Sequence, residues 1–79
     1  MKDKLDYLLK EHYNQDRIST DVKNGEIRKY EITVKISYLT DIYESKFIYT
    51  YDNLMTLAEN FDNIVNIIDN EIILKFYKR

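Results

Sequence analysis

Apolar positions along this chain follow two different periods. Leu5, Leu8, Leu9 and His12 recur at i, i+3, i+4 and i+7, one stripe of a 3.6-residue period, which predicts a short helix over residues 3–13. Asp3 suits its first turn, Asp6 is placed to pair with Lys10, and Tyr7 points off the stripe. The period then changes to two. Ile18, Thr20 and Val22 alternate with polar neighbours and predict a strand over 17–22, running up to Asn24-Gly25. Tyr30, Ile32, Val34, Ile36 and Tyr38 alternate with Lys29, Glu31, Thr33, Lys35 and Ser37, the clearest strand in the sequence.

Asn24-Gly25 is a strong signal for a type I′ hairpin, whose central residues need positive φ. It carries a conflict. Two-residue pairing sets Val22 opposite Ile27, so Ile18 and Val22 face away from the Tyr30–Tyr38 stripe. Either a bulge shifts the register, or residues 17–22 form a loosely paired edge.

Residues 14–17 are expected to turn, as are Thr40 to Glu44. Phe47, Tyr49 and Tyr51 alternate in a third strand, and Asp52 is the expected N-cap of the next helix. Leu54, Leu57, Ala58, Phe61, Ile64, Val65 and Ile68 then hold helical spacing. Asp69-Asn70 is expected to end that helix, and Glu71 to Arg79 to form a last strand with Ile72, Leu74 and Phe76 on one side.

The reading is a single α+β domain over residues 1–79, ordered α-β-β-β-α-β. It has a small, antiparallel-dominated sheet of three to four strands, with two helices packed on one face.

Composition narrows the functional classes. The chain has no cysteine, and His12 is its one histidine, so disulfides and Cys/His zinc sites are excluded. No glycine-rich loop is present to cradle phosphate, which argues against a nucleotide site. Asp3/Asp6 and Glu59/Asp62 are spaced i, i+3 but sit in no metal-binding or acid/base motif. His12 on an apolar stripe reads as a packed boundary residue. No cofactor, metal or catalytic residue is therefore expected. No run approaches the roughly 18 apolar residues of a membrane span, and nothing resembles a signal peptide, so the expectation is a cytoplasmic protein without membrane contact. Ile, Lys, Asn and Tyr make up nearly half of the chain. A/T-rich codons encode all four, as in a low-GC bacterium or its phage.

Charge gives the one functional hint. The formal net charge is −2, and residues 1–46 balance nine acids with nine bases. Between Lys46 and Lys75 there is no Lys or Arg, only Asp52, Glu59, Asp62, Asp69 and Glu71. A one-signed surface attracts basic partners. Opposite the apolar stripe of the second helix lie Thr56, Glu59, Asn63 and Asn66, flanked by Asp62, with Met55 and Ile67 at the margins. Tyr77 is expected to be an exposed contact, since tyrosine joins apolar area to a polar tip.

These features favour a non-enzymatic protein-binding module. Its expected surface comprises Met55, Glu59, Asp62, Asn63, Asn66 and Tyr77, and its expected partner is a protein with a basic surface. Size, acidity and codon bias suggest a phage or mobile-element accessory factor that inhibits a larger host protein, such as a nuclease or CRISPR effector. Homodimerisation through an open edge at the last strand is a further expectation. The alternative is a small nucleic-acid-binding or regulatory protein using a basic sheet rim of Lys29, Lys35, Lys46, Lys75, Lys78 and Arg79 beside Tyr77.

Overall fold

The computed structural model describes residues 1–14 and 17–78. Part of the expected turn at 14–17, namely Gln15 and Asp16, lies outside the described residues, as does Arg79. Helix α1 (Lys2–His12) leads into strands β1 (Ile18–Asn24), β2 (Lys29–Tyr38) and β3 (Asp41–Thr50). A helical segment follows as α2 (Leu57–Ile67), a π-helical stretch (Ile68–Ile73) and α3 (Leu74–Tyr77). The strands form one antiparallel sheet in the order β1-β2-β3. This is the expected α+β class, and its α-β-β-β-α order follows the sequence reading as far as the second helix.

The register conflict resolves through loop length. Val22 pairs with Ile32, Thr20 with Val34 and Ile18 with Ile36. Relative to a two-residue turn, Val22 meets Ile32 in place of Ile27, a shift of five residues. An odd shift exchanges the two faces of a strand, and here it brings both apolar sets to the same side. The type I′ turn expected at Asn24-Gly25 is therefore not formed. Gly25 does not take positive φ; Arg28 does, at 61°. Gly25 N–H donates to Lys29 O at 3.0 Å and Lys29 N–H to Glu26 O at 2.9 Å, closing the longer loop. Burial of two apolar pairs, Ile18–Ile36 and Val22–Ile32, with Thr20 set against Val34 between them, outweighs a local turn preference.

The two-residue turn lies instead at Leu39-Thr40, where Tyr38 pairs with Asp41 and Leu39 has φ 55°. The expected turn over Thr40–Glu44 is thus shorter, and β3 runs the full length of β2.

Two further expectations are corrected. Asp52 is not the N-cap. Its Oδ1 accepts Leu54 N–H, closing a local turn, and Leu54 is 96% exposed. Thr56 is the N-cap, with Glu59 completing a reciprocal capping box. The last strand is not formed either, because the described residues 71–77 are helical. Ile72, Leu74 and Phe76 alternate, but Ile64, Ile68 and Ile72 also form an i, i+4 row, and all three of that row are buried. Leu74 is 45% exposed, so the alternation is not what the core uses. A Glu71–Lys75 ion pair at 3.0 Å adds i, i+4 support.

The π stretch keeps that row aligned. From Asn60 to Phe76, an ideal α-helix drifts about 160° away from whole turns. A wider π turn, with Leu74 N–H bonded to Asp69 O, rotates less per residue and takes back part of the drift.

Both helical segments lie over the inner sheet face. Leu5 and Leu9 from α1, with Tyr13 at its C-cap, meet Ile18, Val22, Ile32, Val34, Ile36, Tyr49 and the Ile64/Ile68/Ile72 row in one core. Thr20 sits in the same layer, 5% exposed, and its Oγ1 has no hydrogen-bond partner. Thr20→Val keeps the shape and removes an orphaned hydroxyl. It is expected to raise stability by about 1 kcal/mol in urea unfolding.

Candidate surface sites

The sequence-predicted contact residues do not form one free patch. Glu59 is engaged at the helix start: its Oε1 accepts from Thr56 N–H at 3.1 Å and from Thr56 Oγ1–H at 3.0 Å. Asn63 is half-buried and directs Nδ2 toward the Tyr49 hydroxyl (3.5 Å) and Met55 Sδ (3.8 Å). Met55 is half-buried too. Asp62 and Asn66 are exposed, and Asp62 has no intramolecular partner among the described residues. Asp69 accepts the Tyr13 hydroxyl at 2.6 Å. Burial, and then that bond, raise the Tyr13 pKa. Of the acids in the cation-free stretch, then, Asp62 is the one turned wholly outward, while Asp52, Glu59, Asp69 and Glu71 hold internal contacts.

Tyr77 is 59% exposed and belongs to a different feature. An open cleft of about 780 Å³ lies where the β2–β3 hairpin meets α3. Tyr38, Asp41, Ile42, Tyr43, Phe76 and Tyr77 line it. Phe76 packs on Tyr43 (centroids 5.6 Å apart) and edge-on to Tyr38 (6.4 Å) and Tyr77 (5.3 Å). This stacking anchors the chain end to the hairpin. Tyr38, Leu39, Ile42, Leu74 and Tyr77 leave large apolar areas outside, with Leu39 at 89% and Ile42 at 71%. Sequence reasoning placed Tyr38 on the alternating stripe of its strand and missed this cluster. Its formation depends on α3 continuing as a helix, which the alternation of Ile72, Leu74 and Phe76 concealed.

The residue with the densest side-chain hydrogen bonding, Asn60, was also not anticipated. It is fully buried. Its Oδ1 accepts the Tyr49 hydroxyl at 2.8 Å and Asp52 N–H at 2.9 Å. Its Nδ2 donates to Asp52 O (3.0 Å) and Thr56 O (2.9 Å). A lone amide between Leu57 and Ile64 on an apolar stripe was the available signal.

The outer sheet face is not a basic platform. Lys35 stands opposite Glu44, Lys23 opposite Glu31, and Thr33 is flanked by Asp21 and Lys46. Its four lysines, Lys23, Lys29, Lys35 and Lys46, are interleaved with three acids, Asp21, Glu31 and Glu44, and its apolar residues are Ile42 and Ile48, with no aromatic. Lys75, Tyr77 and Lys78 are on the C-terminal helical segment or just beyond it, and Lys29 pairs with Glu26 at 3.5 Å. The expected rim is thus divided among separate surfaces.

His12 is exposed, edge-on to Tyr13 (4.7 Å) and Phe61 (5.6 Å). Among the described residues, no three His, Asp or Glu side chains gather as metal ligands, and no helix is long and apolar enough to cross a membrane. Comparison with known protein families, curated proteins and solved structures finds no match.

Proposed function

We propose that the chain is a non-catalytic protein-binding module that uses the aromatic cleft as its main contact surface and the outer face of α2 as a second, charged one. The observation that supports this most directly is the exposed group Tyr38, Leu39, Ile42, Leu74 and Tyr77 around an open cleft. Large apolar side chains clustered on a small domain mark contact surfaces. Asp62 and Asn66 on a helix without cations select a partner that carries basic groups as well as an apolar anchor. Where that basic surface is a nucleic-acid groove, binding would inhibit the larger protein.

The test is affinity capture followed by binding kinetics on the partner identified. Tyr77→Ala should speed dissociation about tenfold or more, through loss of an aromatic anchor. Asp62→Lys with Asn66→Lys should slow association several-fold and reduce its salt dependence. Wild-type kinetics in both variants would remove this surface from consideration.

A further inference from the structure

We propose that the chain forms a homodimer by antiparallel pairing of β3 with β3 of a second copy, with the two-fold axis at Ser45. The two edges of the sheet differ. On the β1 edge, Val22 N–H points outward and is taken by Asp6 Oδ1 of α1 at 3.2 Å. Asp6 is in turn held by Lys10 at 2.7 Å. The β3 edge has no such cover among the described residues, for β2 is its only strand neighbour. Tyr51 N–H donates to Arg28 O at 2.7 Å, so odd-numbered residues of this segment direct their backbone groups toward β2. Backbone direction alternates along an antiparallel strand. The N–H and C=O groups of Ile42, Glu44, Lys46 and Ile48 therefore point away from the sheet. A ten-residue edge without proline or glycine is a pairing template.

The sequence of β3 selects a second copy as its occupant. Around Ser45 the strand reads Ile42-Tyr43-Glu44-Ser45-Lys46-Phe47-Ile48. Antiparallel pairing about Ser45 sets Glu44 against Lys46 of the partner subunit, and Lys46 against Glu44 of the partner subunit. Ile42 meets Ile48 of the partner subunit on the same outer face. On the inner face Tyr43 meets Phe47 of the partner subunit. The three pairs on each side of Ser45 are thus opposite in charge or apolar on both sides. The backbone parity agrees as well. Glu44 and Lys46 both point outward and would form the hydrogen-bonded pairs, leaving Ser45 at a non-hydrogen-bonded position. Ile42 and Ile48, 71% and 59% exposed in the single chain, gain neighbours. The helical layer lies mainly over β1 and β2, and Tyr43, Ser45 and Phe47 remain half-exposed, which leaves room for a partner sheet. A lysine in mid-edge commonly deters pairing. Here the register supplies Lys46 with an acid.

Charge exchange tests the register. Sedimentation velocity up to several hundred micromolar should show wild type as a dimer. Glu44→Lys and Lys46→Glu should each weaken dimerisation about tenfold, because each makes two like-charged pairs. Mixing those two variants should restore dimers, as should combining both changes in one chain. Restoration in the double variant separates the interface from any folding cost of setting a second lysine opposite Lys35. Ser45→Cys offers a second readout, since the chain has no native cysteine. Residues at a non-hydrogen-bonded pair lie about 4.5 Å apart at Cα, within disulfide reach. Mild oxidation should yield a covalent dimer. Tyr77→Ala, which tests the cleft, should leave the dimer intact. A monomeric wild type, a strand of another protein seated on β3 in place of a second copy, or a dimer that neither cross-links at Ser45→Cys nor responds to charge exchange would overturn the proposal.

Discussion

Replacing Asn60 with alanine is expected to destabilise the domain by about 3 kcal/mol, although it removes only a small polar side chain. The loss comes from the groups left behind. The Tyr49 hydroxyl, Asp52 N–H and Asp52 O all bond to this amide. Each buried orphan costs roughly 1–3 kcal/mol, and partial access to water at Asp52 lowers the sum. The amide also fastens the turn at residues 52–55 to the first turn of α2, so hydrogen exchange at Leu54 and Met55 should accelerate. Tyr49→Phe should cost far less, about 1 kcal/mol, because Oδ1 keeps its bond from Asp52 N–H. Urea unfolding of both single variants and the double variant gives the coupling. Equal effects of Asn60→Ala and Tyr49→Phe would mean that the amide contributes one bond rather than a junction.

Ile68→Ala should be the most damaging single truncation, at about 3–5 kcal/mol. Ile68 is fully buried and belongs to the Ile64/Ile68/Ile72 row that closes the core over β2. Removing its outer carbons loses transfer free energy and leaves a cavity that the π stretch, fixed at both ends by helix, cannot readily collapse. A 79-residue domain has roughly 4–12 kcal/mol of stability in total. The variant should therefore be partly unfolded near body temperature, visible as loss of helical circular dichroism. Ile27→Ala, at a position 88% exposed, should leave the unfolding midpoint unchanged.

What the sequence revealed depended on how many signals agreed. The Tyr30–Tyr38 alternation stood alone in its segment, and Ile32, Val34 and Ile36 are buried as it implied. The α1 stripe named Leu5 and Leu9 correctly, but it assigned the packed ring to His12 where Tyr13 takes that place. Asn24-Gly25 misled because the conflict it creates at Val22 points to a bulge or a loose edge, whereas a longer loop removes it and no local residue signal marks that loop. Residues 71–77 misled because Ile72 and Phe76 satisfy period two and an i, i+4 row at once. Only the continuation from Ile64 and Ile68 decides between them. The acidic face was legible as composition, yet composition could not show that Glu59 and Asp69 are engaged within the fold.

The π stretch divides the labour between residue identity and backbone winding. Side chains at Ile68 and Ile72 determine how well the core is filled. The winding between Ile67 and Leu74 determines the direction in which Phe76 and Tyr77 are aimed. Rewinding the same six residues as an unbroken α-helix would swing everything beyond them by about a quarter turn, carrying the aromatic wall off the hairpin. Losing one residue along with that rewinding would bring the wall back, because six residues of π-helix and five of α-helix turn through about the same angle. The helix thus holds one residue more than its phase requires, stored where Ile68 and Ile72 are already fixed by the core.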